Sequence, residues 1–146
     1  MEFFTISYTT LLIRVAVDEI VYIKADGNYS DLVLINGKSR KITSQLQSIE
    51  ERIKLLNSCN KFIRVGRSLI VNKDFVQGID TVEQTITFGG KHVVLPPRMD
   101  NAHAYRFERD DGSGPNKDIY TVSVGKEALK ALKELLDDKK WRIKNE

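Results

Sequence analysis

Short runs of β-branched and aromatic residues, separated by small turn formers, occupy most of the first hundred positions. Residues 11–17 and 20–23 read as two strands. Asp26-Gly27 and Asn36-Gly37 are dipeptides that tolerate positive φ. They bracket a third strand over 29–35, and residues 38–42 return as a fourth, so the clearest hairpin surrounds Asn36-Gly37. Further on, Phe62, Ile63 and Val65 lead into Gly66-Arg67-Ser68, and Leu69, Ile70 and Val71 lead out of it. That is a short cationic break between two strands. Asn72-Lys73-Asp74 then turns the chain, with Asn72 as a structural cap. Residues 75–79, 85–88 and 92–95 are strands, with Gly89-Gly90 turning between the last two and Pro96-Pro97 ending the series, since proline donates no ladder hydrogen bond.

Two segments switch to helical spacing. Leu46, Ile49, Ile53 and Leu56 form one stripe, and Ser44 with Gln47 has the form of a capping box. Glu50, Glu51, Arg52 and Lys54 fall on the wet side. Two acids there would repel phosphates, so this helix reads as a brace against a sheet. Near the C-terminus, 105–108 and 119–124 read as a hairpin around the loop 109–117. The acids of that loop lack the ligand spacing of an EF-hand. A helix over 126–140 carries the stripe Ala128, Leu129, Leu132, Leu135 and Leu136. Docking on the protein's own sheet is the first expectation for that stripe, and dimerisation the second. No helix-turn-helix, zinc spacing or heptad array is present, so any reading of DNA falls to loops and strand ends.

Composition narrows the class. A chain of 146 residues with 41% apolar and 29% charged residues is an ordinary globular protein, one domain with room for an extension. Its net charge of +3 neither argues for nor against a polyanionic partner. The single cysteine, Cys59, cannot form an internal disulfide, which fits a reducing compartment, and it reads as a small packing residue. No run approaches the roughly 20 apolar residues of a membrane span. The apolar start at Phe3, Phe4 and Ile6 lacks a basic leader, and Arg14 interrupts the next apolar run. A cytoplasmic protein without membrane insertion is therefore expected. His92 and His103 are the only histidines, and no nucleophile or carboxylate pair is spaced to work with them. Neither an enzyme nor a cofactor or metal is expected.

The run from Phe62 to Asn72 carries more. Phe62, Arg64, Arg67, Ser68, Val71 and Asn72 match the pattern Phe-x-Arg-x-His-Arg-Ser-x-x-Val-Asn, with Gly66 in place of His. Upstream, Glu19, Ile20, Tyr22, Ile23, Ala25, Gly27, Asn28 and Tyr29 match acidic-Ile-x-Tyr-Ile-x-Ala-x-Gly-Asn-Tyr. Downstream, Leu95, Pro96 and Arg98 are a looser match to Leu-Pro-x-Ser-Arg, one residue short and with Pro97 replacing Ser. With these three blocks in order, over about 11–98, the chain resembles the LytTR family of bacterial DNA-binding domains, output domains of response regulators.

The resemblance implies a mainly β fold with short helices, α+β by content, built of elongated stacked β-sheets. It assigns 1–100 to the DNA-binding domain and leaves 101–146 as an extension, a strand–loop–strand unit and an amphipathic helix packed on the domain or used for dimerisation. No receiver domain fits in this length, so phosphorylation within the chain is not implied. The implied function is sequence-specific transcription regulation, with three loops along one edge entering the duplex. Carried over, the base contacts are Asn28, with Tyr29 or Ser30 beside it, then Arg67 and Arg98. Asn pairs with adenine and Arg with guanine. Arg64 and Lys38 would hold phosphates, and Ser68 lies in the same loop as Gly66, where either a base contact of the usual His is missing or the Gly66 amide comes close to a phosphate. The partners implied are double-stranded DNA, a second copy on repeated half-sites and a regulatory protein. The competing reading, marked by Gly66, is a β-rich protein-interaction module that has lost specific DNA binding.

Overall fold

The structure is a computed structural model that describes residues 1–89, 104–108 and 115–137, with the backbone alone described for 104–108 and 115–120. Five strands form the central antiparallel sheet: β3 (Ile20–Asp26), β4 (Tyr29–Leu34), β5 (Ser39–Ile42), β6 (Phe62–Val65) and β7 (Leu69–Asn72). Their order is β5-β4-β3-β7-β6. Strand β3 lies in the middle, and its residues from Ile20 to Ile23 are all buried. It therefore lacks the polar alternation of a half-exposed strand: it has a core on each side.

On one face lie Ile23, Leu32, Leu34, Ile42 and Ile70. Against them pack Leu46, Ile49 and Ile53 of α1 (Leu46–Ile53) and the inward residues Phe4, Ile6, Ile13 and Val15 of a hairpin. That hairpin is β1 (Phe3–Ser7) and β2 (Leu12–Ala16). On the other face, Tyr22, Val33, Val65, Leu69 and Val71 pack against a second sheet. Its described strands are β8 (Val76–Asp80), β9 (Thr85–Gly89), β10 (Ala104–Glu108) and β11 (Pro115–Ser123), in the order β10-β11-β9-β8. Tyr22 stacks on Phe88 with ring centroids 5.0 Å apart. Helix α2 (Lys126–Leu136) closes this second core by burying Leu129 and Leu132. Among the described residues the fold is thus mostly β with two α-helices, and mainly β as expected.

Several local readings change. Residues 3–7 form a strand that the sequence pattern did not single out. The Ser44–Gln47 capping box does not form: Gln45 is the N-cap, without a side-chain cap bond. The Ser44 carbonyl is instead taken by the Ser30 hydroxyl at 2.8 Å. Leu56 falls beyond α1 yet still packs on the first core. Asn72 does cap: its side-chain oxygen accepts from the Asp74 N–H, and its amide donates to the Ile20 carbonyl at 2.9 Å. In α2 the buried stripe is narrower than predicted, because Leu135 and Leu136 are exposed. Strand β11 pairs with β9 as well as β10, which builds residues 115–123 into the second sheet. The predicted strand 92–95 lies outside the described residues, as do His92, His103 and residues 138–146.

Glu2 ties the N-terminal hairpin to the connection between α1 and β6. Its carboxylate accepts from the backbone N–H groups of Asn57 and Ser58, at 2.7 and 2.9 Å. A hydrogen bond from the Ser58 side chain, and then the Asn57 amide, hold this carboxyl below its ordinary pKa. The stabilisation is therefore complete above the ordinary carboxylate range and is lost as pH falls through the depressed value. Glu2→Gln should lower Tm at neutral pH and flatten the acid limb of a Tm-versus-pH curve. An acid limb identical to wild type would mean that the tie contributes nothing.

Gly66 has φ +66, and a Cβ built there would lie 3.2 Å from the Ala128 Cβ of α2. The left-handed region alone costs an L-residue roughly 1–2 kcal/mol. Gly66→Ala should therefore lower unfolding free energy by roughly that amount or more in urea titrations. The double variant Gly66→Ala/Ala128→Gly should lose less than the sum of its single variants, because only the pair shares the close approach.

Candidate nucleic-acid interface

Two of the predicted loops meet at one end of the central sheet. The first joins β3 to β4. Asp26 pairs with Tyr29 across it, and Gly27 takes φ +62 at its first central position, so two residues reverse the chain. Asn28 is exposed at the tip, and Tyr29 is 44% exposed. The second loop joins β6 to β7 through Gly66, Arg67 and Ser68, all exposed. The Ala25 N–H donates to the Ser68 carbonyl at 2.8 Å. This bond extends the β3–β7 ladder and fixes the two turns side by side. Among the described residues, no ion pair engages the Arg67 guanidinium.

The charges behind this end are arranged in pairs. Lys41 of β5 lies 2.7 Å from Asp26 and 3.3 Å from Asp31, with its ammonium 5.6 Å from the Tyr29 ring centroid. The hydrogen bond to Asp26, chiefly, raises the lysine pKa. A fixed cation thus offsets part of the charge of two carboxylates that would otherwise repel a polyanion. Lys24, half-buried and opposite Asp31 and Leu69 in register, is a cation that the sequence reading passed over. Burial pushes its pKa down. Its position two residues beyond Tyr22 on the same face of β3 was the available signal. Beside the second turn, Ser68 borders an open depression whose other walls are Glu83, Gln84, Ser123, Val124 and Gly125.

The remaining predicted contacts separate. Ser30 is fully buried, and its hydroxyl is spent on the Ser44 carbonyl, so it is corrected from a contact to a core plug. Its parity with Leu32 and Leu34 in β4 carried that information. Lys38 is exposed, but it follows the Asn36-Gly37 turn at the opposite end of β4, a strand's length from Asn28. Its N–H donates to Asn36 Oδ1 at 3.0 Å. Arg64 turns inward. Its Nε donates to the Gly66 carbonyl at 2.8 Å, Nη2 to the Arg67 carbonyl at 3.0 Å and Nη1 to Glu50 Oε1 at 2.9 Å. Glu50, read from sequence as solvated, is therefore the anchor of an ion pair. Arg98 and the third loop lie outside the described residues. No cluster of His, Cys, Asp and Glu able to hold a metal occurs among the described residues, and no helix there is long and apolar enough to cross a membrane.

The family model for the LytTr DNA-binding domain matches residues 11–99. No curated protein matches the chain. Among solved structures, the LytTr DNA-binding domain of a Bacillus cereus response regulator is similar, with a TM-score of 0.52 and 20% sequence identity. The match covers 93% of this chain and 97% of that one, so it necessarily takes in most of the residues after the family model ends. At this identity the likeness speaks to the fold alone. The family match, which spans well over half of the sequence, shows that the chain belongs to the LytTR family of DNA-binding domains.

Proposed function

We propose that this DNA-binding domain is a sequence-specific transcription regulator that reads duplex DNA through the 26–29 and 66–68 turns. The observation that carries this reading is the Ala25–Ser68 hydrogen bond. It sets two polar turns next to each other on a rigid sheet, with exposed Asn28 on one and exposed Arg67 on the other. Arg67 suits a guanine edge through its planar fork of donors, and Asn28 suits adenine. Tyr29 and Ser68 flank them and offer exposed hydroxyls for sugar or phosphate. Arg98 completes the set as the residue that the family resemblance assigns to a third loop. Backbone contacts position such a domain without specifying sequence, so the turn residues carry the selectivity.

Gly66, the departure that favoured a protein-interaction module, has a backbone reason. Its positive φ and its closeness to Ala128 both favour glycine. The DNA reading is therefore preferred. Repeated half-sites would seat two copies, and a regulatory protein would act on an assembled complex of this kind.

Selection from a random duplex pool with the purified protein should enrich one sequence. Against that sequence, Arg67→Ala should lose affinity by roughly 1–3 kcal/mol, about five- to 150-fold, while weak binding to a scrambled duplex persists. Titrations at known protein concentration also give the stoichiometry. A pool from which nothing is enriched would transfer the domain to the interaction-module reading.

A further inference from the structure

We infer that Arg64 is a positioning residue for the reading turn and not itself a DNA contact. The inference rests on the proposed function, because the turn it positions is the one that carries Arg67. Three successive carbonyls of the turn are bound. Those of Gly66 and Arg67 accept from the Arg64 guanidinium, and that of Ser68 accepts from the Ala25 N–H. The peptide planes on both sides of the Arg67 Cα are thus fixed, and with them the direction in which its side chain leaves the backbone. A turn entered through a glycine at φ +66 has no comparable restraint of its own.

The guanidinium is in turn anchored. Arg64 lies in β6 opposite Ile70, on the face covered by α1. Its third contact reaches Glu50 of that helix at 2.9 Å, with both side chains about 70% shielded from solvent. Helix, strand and turn are joined through one planar group with five donors. A lysine ammonium has the same charge but is a compact point donor and cannot span two carbonyls and a carboxylate in one plane. Arg64→Lys therefore separates geometry from charge. A phosphate contact would largely survive the exchange, and a positioning fork would not.

The test uses the full chain and the duplex enriched by wild-type protein, with a scrambled duplex as the reference. Arg64→Lys should lower affinity for the enriched duplex by about tenfold, through lost preorganisation of the turn. Scrambled-duplex affinity and the slope of log K against log salt should stay at wild-type values. In an Arg67→Ala background the same exchange should cost little more, because the residue being aimed is gone. In the absence of DNA, amide order parameters at 66–68 should fall from near about 0.85 toward or below about 0.6. Glu50→Gln, which keeps the fold of α1, should give a smaller change in the same direction. Wild-type specific affinity in Arg64→Lys, or an equal loss in both backgrounds, would overturn the inference while leaving the DNA reading intact. If Arg67→Ala itself shows no loss of specificity, the reading fails first and the positioning role fails with it.

Discussion

Burial of β3 on both faces is the constraint on which the rest of this molecule depends. A strand with Ile20, Val21, Tyr22 and Ile23 all hidden needs a cover on each side. On one side the cover is α1 with the β1–β2 hairpin; on the other it is the second sheet with α2. Since β3 must also be flanked within its own sheet, β4 and β7 take their places beside it. The turns that follow β3 and precede β7 then emerge at the same end. The candidate interface is thus a by-product of how the most apolar strand is enclosed, and its polar residues are where the two cores stop.

Charge at that end is managed by fixed partners. Lys41 offsets Asp26 and Asp31, and Arg64 offsets Glu50 while also binding backbone carbonyls. Arg64 and Glu50 cancel to a dipole, whereas Lys41 offsets one of the two charges of Asp26 and Asp31, so fixed cations reduce the repulsion of a polyanion at this end without abolishing it. This explains how a chain with a net charge of only +3 is compatible with a DNA-binding role. Local arrangement matters more here than the total.

Much of the fold was legible because the strands of the central sheet obey simple rules. Asp26-Gly27 and Asn36-Gly37 do turn the chain, and the 46–53 stripe does face a core. Other features were hidden for physical reasons. In β1, Phe3 is half-buried and its ring carries the Arg14 guanidinium 3.6 Å from the centroid, so two adjacent phenylalanines obscured the alternation. The Glu50–Arg64 pair joins a helix to a strand across 14 positions that share no period. Nothing along the chain announced that Gly66 would meet Ala128, since that approach depends on where α2 lands. Ser30 and Lys38 are different. Strand parity and the sense of two successive turns held the needed information.

The hydrogen bond from Ala25 to Ser68 bridges residues far apart in sequence, whereas each turn on its own is closed by neighbours. Both hairpins can therefore form early and locally, yet the surface that combines them exists only after the long intervening segment has been enclosed and its entropy lost. Separation of β7 from β3 would leave two intact hairpins and no interface. The apparent affinity of such a domain includes the fraction of molecules in which that closure is complete. If the two turns read DNA as proposed, anything that shifts this fraction, at whatever distance from them, changes occupancy without touching a single contact.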